Sequence, residues 1–247
     1  MEAVVHQVLR APVSSNLSIS RPLFPLFLKL DGHLCVIVGG GPIGAQKAEA
    51  LVECGARLRV VSPALDESWQ PLAHAVEHVV RPFEEGDVAG ARLVISATGD
   101  DAVDARVVAN ARNLGILVNT VDVPHRCDFY AGAVVRRGMV QVAISTAGAS
   151  PSLAIAVRKS VEASLPQGTA ELAHVLGENR ARLLERFPVF APRAARLNRA
   201  VGDAFPRLGG VSEDALHRWM ERVLGCEHDC ARAERCCAVA CLEESCA

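Results

Sequence analysis

The sequence predicts an α/β protein built on a doubly wound parallel sheet, and three observations carry that prediction. A short apolar run at 35–38 ends in Gly39-Gly40-Gly41-Pro42-Ile43-Gly44, a G-x-G-x-x-G turn that leads into a helical stretch. Further strand-like runs at 58–61, 76–80, 93–97 and 116–121 alternate with helical or turn segments, as βαβ units do. Small or polar residues stand at the ends of these runs (Gly39, Ser62, Thr98, and Asn119 to Asp122), where such sheets receive ligands. The first half of the chain is therefore expected to be Rossmann-like.

Taken in order, residues 1–21 read as a polar, serine-containing extension. Residues 23–30 are apolar and predict an edge segment leading to the turn Asp31-Gly32. A helix is predicted over 45–54, with Ala48, Leu51 and Val52 on one face and Gly55 as its stop. A short helix is expected over 66–75 and a polar connection over 83–88. The helix predicted over 101–113 begins at an acid and stops at Asn113 and Gly115.

Each glycine of the turn has a reason. Gly39 permits a tight turn, Gly41 lets a pyrophosphate reach the backbone, and Gly44 lets the helix sit close to the strand. The helix N-terminus favours an anion. The acid that often binds the ribose hydroxyls is missing, since Val60-Val61-Ser62-Pro63 occupies that region. Arg57 and Arg59 could meet a 2′-phosphate, or alternation could turn them to solvent, so the residues leave NAD and NADP open. Asp122 is the acid at a strand end, and a turn or capping role is its alternative reading.

Half of the 247 residues are hydrophobic, 4% are aromatic and the net charge is −2, which argues against nucleic acid as a partner. No apolar run approaches the ~18 residues of a membrane span, and the first twenty do not read as a signal peptide. A cytoplasmic protein is expected. Of 26 basic residues only Lys29, Lys47 and Lys159 are lysines. Arginine suits carboxylate recognition, although genome composition explains the bias equally well.

From Phe129 the pattern changes. Residues 133–137 and 140–145 predict a hairpin turning at Arg137-Gly138. Ser145-Thr146-Ala147-Gly148-Ala149-Ser150-Pro151 is a hydroxyl-rich loop before a helix reaching about residue 165. Ser145, Thr146 and Ser150 are candidate ligand contacts, with a helix cap as the alternative for Ser150. Beyond Gly168 the chain reads as helical, broken at Phe187-Pro188 and near 206–210. The last stretch carries Cys226, Cys230, Cys236, Cys237, Cys241 and Cys246. It contains no C-x-x-C, and metal or iron–sulfur binding stands beside a tail without specific ligation.

The chain resembles the precorrin-2 dehydrogenase family, the dehydrogenase/ferrochelatase module of siroheme synthases. The likeness rests on Pro25-Leu-Phe-Leu-Lys-Leu30, Val36-Ile-Val-Gly-Gly-Gly41 with Lys47-Ala48, and Asn119-Thr-Val-Asp122 with Cys127-Asp128-Phe129. It continues through Ala133-Val-Val-Arg-Arg137 and Ser145-Thr-Ala-Gly-Ala-Ser-Pro151. Gly44 and Ala147 depart from it, standing where alanine and glycine are usual. The resemblance implies an NAD-binding domain (22–124), a dimerisation region (125–165) that forms an intertwined homodimer, and a helical domain (166–225). The extension (1–21) and the cysteine-rich tail (226–247) complete the expected organisation. It places cofactor contacts at Pro42, Ile43, Pro63 and Ala64 beside Gly39, Gly41, Gly44, Ser62, Thr98 and Asn119. It makes Asp122 the catalytic carboxylate and puts Thr146 beside a tetrapyrrole substrate. The expected activity is NAD-dependent oxidation of precorrin-2 to sirohydrochlorin, with Fe2+ chelation as an open addition. A non-catalytic NAD-sensing or scaffold protein on the same fold is the alternative.

Overall fold

The computed structural model describes residues 22–226 together with Ala238 and Leu242. It divides into two compact units, one ending at Phe129 and the other beginning at Tyr130. In the first, β1 (Leu34–Val38), β2 (Arg57–Val61), β3 (Val76–Val79), β4 (Leu93–Ser96) and β5 (Leu117–Thr120) form one parallel sheet in the order β3-β2-β1-β4-β5. Helices α1 (Pro42–Glu53) and α2 (Asp101–Asn113) complete it. Val38 lies opposite both Val61 and Ser96, and Ser96 lies opposite Thr120, so the strands end together along one edge.

The central strands β1 and β4 read as nearly unbroken apolar runs because both faces of the sheet are covered there. Cys35 and Ile37 pack with Ala45, Ala48 and Leu51 of α1 and with Trp69. Val36 and Val38 pack on the other face with Val107, Val108 and Ala111 of α2. Burial pushes the Cys35 thiol up to about 11, so this cysteine is a core residue.

Helix α1 begins earlier than its apolar face suggests, because Pro42 already has the φ of a first helical residue. Gly55, at φ +74, ends it. Asp100 caps α2, accepting from the N–H groups of Ala102 (2.9 Å) and Val103 (3.2 Å). The segment Glu67–Ala75 is a 3-10 helix rather than an α-helix; Pro71 inside it supplies no N–H for a regular ladder. Residues 22–29 form no edge strand: Leu23, Phe24, Leu26 and Phe27 are exposed, and two prolines remove ladder donors.

In the second unit β6 (Ala133–Arg137) and β7 (Val140–Ile144) pair antiparallel, and the turn between them uses Gly138 at φ +55. Helices α3 (Pro151–Ser164), α4 (Thr169–Glu178), α5 (Arg180–Arg186), α6 (Phe190–Ala204) and α7 (Glu213–Gly225) follow. The break between α4 and α5 is absent from the sequence reading. Asn179 makes it, donating to Val175 O (2.9 Å) while its own side-chain oxygen accepts from Arg182 (2.8 Å). Leu172, Val175, Leu183, Leu208, Leu216, Trp219, Met220 and Val223 form the helical core, and Ala238 and Leu242 are buried in it. No helix among the described residues is long and apolar enough to cross a membrane.

Candidate functional site

The glycine turn stands at the carboxyl end of β1, the switch point between β2 and β4. Gly39 has φ +117, and a Cβ there would lie 2.2 Å from Ala97 O. Gly40, which the motif leaves unspecified, is equally constrained: its Cβ would come within 2.0 Å of Ala64 O and 2.6 Å of Ser62 Oγ. Gly41 is different. A Cβ there would meet nothing within 4 Å, and its φ of −78 and ψ of 174 suit any residue. Gly41 is the N-cap of α1 and places no side chain over the first N–H groups of the helix. Open space, bare N–H donors and the positive end of a helix dipole together suit a pyrophosphate. Pro42 and Ile43 are exposed on that first turn.

Trp69 secures the turn from below. Its indole is 1% exposed, and Nε1 donates to Gly41 O across 3.2 Å. The sequence signal for this role is slight: an indole in a short helix needs a partner for its N–H when buried. Gly44 sits beneath it, with room for neither Cβ nor helix shift, since a Cβ would lie 2.8 Å from Gly39 O and 3.1 Å from the indole.

Ser62, buried at the end of β2, donates to Ala64 O (2.7 Å), and its own carbonyl lies 2.9 Å from His78 Nε2. Pro63 and Ala64 follow, exposed. Thr98 Oγ1 is turned inward to Asp104 Oδ1 (2.6 Å) and accepts from Asp100 N (3.1 Å). Asn119 is also committed, donating to Phe129 O (2.8 Å) and toward Cys127 Sγ (3.3 Å). These side chains shape the edge; what Thr98 and Asn119 offer a ligand is main chain. Arg57 opens β2 at the opposite edge, and Arg59 pairs with Glu77 at 3.2 Å, so neither stands where a ribose phosphate would lie.

Asp122 follows β5 along the same edge. It is exposed, its carboxylate makes no hydrogen bond or ion pair among the described residues, and its φ is +59. Val123 N donates to Thr120 O (3.3 Å), closing a turn around it. The short 3-10 turn Pro124–Arg126 has Val123 as its N-cap and no side-chain cap bond, so capping is not the role of Asp122.

In the second unit the hydroxyl loop is tied within itself. Ser145 Oγ accepts from Ala147 N (3.1 Å), Thr146 Oγ1 accepts from Ser150 N (3.1 Å) and donates to Ser150 O (3.1 Å), and Ser150 Oγ caps α3 through Leu153 N (3.1 Å).

A family of putative NAD(P)-binding domains matches residues 26–133. The siroheme synthase of Ectopseudomonas mendocina is 39% identical over 164 residues, 66% of this chain and 36% of that protein. That of Thioalkalivibrio sulfidiphilus is 38% identical over 204 residues, 81% of this chain and 42% of that protein. The chain is similar in sequence to part of these siroheme synthases. It spans 36% and 42% of the length of these two relatives. The fold is also that of a solved protein, SirC, precorrin-2 dehydrogenase: TM-score 0.61 over 81% of this chain and 98% of that one, at 23% identity.

The two positions at which the resemblance is expected to break have a physical reading. Gly44 lies in the first turn of α1, where a Cβ would come 3.1 Å from the Trp69 indole. Ala147 holds φ +52, a left-handed backbone that costs a residue with a Cβ roughly 1–2 kcal/mol. In the cysteine-rich tail, Cys226 is buried, its carbonyl accepting from Arg196 (3.0 Å). Cys230, Cys236, Cys237, Cys241 and Cys246 lie outside the described residues. No cluster of metal-ligating side chains occurs among the described residues.

Proposed function

We propose that the protein is an NAD-dependent dehydrogenase that oxidises precorrin-2 to sirohydrochlorin. The observation that carries the proposal is the shared carboxyl edge of the sheet. The open glycine turn ends β1 there, and the unpartnered carboxylate of Asp122 follows β5. Gly41, with the first N–H groups of α1, holds the pyrophosphate; Pro42, Ile43, Pro63 and Ala64 line the dinucleotide. NAD is preferred over NADP because neither Arg57 nor Arg59 stands at the carboxyl edge. NAD, when bound, takes up a hydride from the macrocycle. The oxidation also releases a proton from the macrocycle, and Asp122 accepts it. A free, exposed carboxylate suits a base that must reach a large substrate and then return its proton to water.

Ser145, Thr146 and Ser150 are proposed to meet the polar periphery of the tetrapyrrole with the hydrogen-bonding capacity that the loop leaves them. Insertion of Fe2+ into the product would need pyrrole protons removed, and the same carboxylate can serve. A homodimer is part of this reading. The second unit supports it by leaving Met139, Leu153, Ile155 and Val157 exposed, while α3 buries only Ala154. The test is anaerobic incubation with precorrin-2 and NAD. Formation of NADH together with sirohydrochlorin is expected, and NAD binding without turnover would favour a sensing role instead.

A further inference from the structure

The turn that carries Asp122 is held by a side chain that the proposed chemistry does not use. Cys127 Sγ lies 3.2 Å from Thr120 O and 3.4 Å from Val123 O, the carbonyls of the first and last residues of that turn. Asn119 Nδ2 approaches the same sulfur at 3.3 Å and fixes itself to Phe129 O at 2.8 Å. The main chain locks the cysteine in place from both sides: Cys127 N donates to Pro124 O (3.1 Å) and Asp128 N donates to Val118 O (2.8 Å). Asp128 in turn accepts from Val118 N (3.1 Å) and from Arg112 (2.8 Å). The sulfur thus sits inside the loop 119–127 with one donor aimed at it and two carbonyls within its reach.

Asp122 needs such support. A residue with a Cβ at φ +59 costs on the order of 1–3 kcal/mol and persists only where its surroundings over-determine it. Within the turn the main chain closes through Val123 N to Thr120 O (3.3 Å); Val121 N donates to Ser96 O (2.9 Å) and Arg126 N to Val123 O (3.0 Å), none of these bonds engages the Asp122 side chain, and the following 3-10 turn adds no side-chain cap. We infer that Cys127 is a positioning residue for the reaction, its single S–H shared between the carbonyls at the two ends of the turn so that the Asp122 carboxylate is presented in one direction. This rests on the reading of Asp122 as the proton acceptor. A thiol suits the task for a physical reason. Its long C–S bond brings the sulfur within 3.2–3.4 Å of three polar groups, one donor and two carbonyls, a spread that a hydroxyl oxygen, held closer to its Cα, would not reach as evenly.

The experiment compares Cys127→Ala, Cys127→Ser, Asp122→Asn and the double variant Asp122→Asn/Cys127→Ala. For each, kcat with precorrin-2, NAD affinity and Tm are measured. Loose placement of a reacting group can cost up to about a hundredfold, so Cys127→Ala should lose roughly tenfold or more in kcat with NAD affinity unchanged. Cys127→Ser, which keeps one bond, should recover part of the loss. In the double variant, removing the thiol should cost no further activity, because nothing remains to be positioned. A purely structural cysteine predicts otherwise: lower Tm, kcat per folded molecule preserved, and losses that multiply in the double variant. Either kcat within about twofold of wild type in Cys127→Ala or multiplying losses would overturn the inference while leaving Asp122 in its role. Should Cys127→Ala fail to fold, Cys127→Ser decides: lower kcat at unchanged NAD affinity supports positioning, and wild-type kcat overturns it. Wild-type turnover by Asp122→Asn would overturn the parent reading and this one with it.

Discussion

The indole nitrogen of Trp69 donates to the main-chain oxygen of Gly41 across 3.2 Å, so the residue that caps α1 at the end of the glycine turn is fixed by a side chain 28 positions away. A buried hydrogen bond of this kind contributes about 0.5–1.5 kcal/mol. Trp69→Phe keeps most of the apolar packing and removes the donor. NAD affinity, read by calorimetry, should weaken roughly two- to tenfold. An unchanged Kd would show that the turn keeps its shape unaided.

The three consecutive glycines separate fold from ligand. Gly41→Ala adds a methyl group to open space on an ordinary backbone, so Tm should stay near wild type while NAD binding is lost. Gly39→Ala drives a Cβ into Ala97 O at φ +117, and should lower Tm sharply. If both variants lost stability alike, Gly41 would be a packing glycine and the site would need another location.

Asp122→Asn is the informative change at the proposed base, since asparagine tolerates a left-handed backbone and Asp122→Ala would add strain to lost chemistry. A loss of about 10²–10⁴-fold in kcat is expected, with NAD affinity intact. Because the carboxylate caps nothing, Tm should move little. Turnover at the wild-type rate would remove Asp122 from the mechanism.

Acid should weaken the first unit through Asp87. Arg81 donates to both of its oxygens, at 2.9 and 2.6 Å, and Glu84 N adds a third bond at 2.8 Å. The Arg81 hydrogen bonds, foremost, hold this carboxyl below its ordinary 3.8. A depressed folded value means that the stability is complete above the unfolded value and is lost as pH falls through the folded one. The wild type should therefore lose stability more steeply than Asp87→Asn below about pH 4, as denaturant midpoints would record. Parallel curves would show that the pair contributes nothing.

Two residues of the cysteine-rich tail, Ala238 and Leu242, belong to the helical core. Leu242 is buried with Leu216, Trp219 and Met220, and truncating a buried leucine to alanine costs about 2–5 kcal/mol. Leu242→Ala should lower the Tm of the chain clearly. A metal role for the tail is therefore better sought with Cys230→Ser and Cys241→Ser than by deletion, with metal content as the readout. Wild-type Tm in Leu242→Ala would return the tail to the status of an appendage.

The centre of the parallel sheet was legible because burial on both faces leaves β1 and β4 as nearly uninterrupted apolar runs, and the glycine turn because its spacing follows from backbone sterics. What the sequence concealed depends on partners brought from afar. Nothing local marks Trp69 as the anchor of Gly41, Gly40 as a packing glycine against Ala64, or Asn179 as the breaker of a helical run. The hydroxyls of Thr98 and Ser150 and the amide of Asn119 have the chemistry of ligand contacts, yet the fold uses them to hold its own turns. Arg59 looked free to meet a phosphate until its strand neighbour Glu77 came alongside.

A backbone at φ +59 admits glycine, asparagine and aspartate far more readily than other side chains. Drift at position 122 is thereby confined to a short list in which a single member is acidic; glutamate, which offers the same chemistry on a longer stem, is disfavoured by the turn itself. From an aspartate codon, both asparagine and glycine lie a single base change away. Either replacement is expected to leave a chain that folds and keeps its glycine turn while losing the proposed base. Catalytic descendants and silent cofactor-holding ones are thus immediate neighbours in sequence space, and the letter at this position tells them apart.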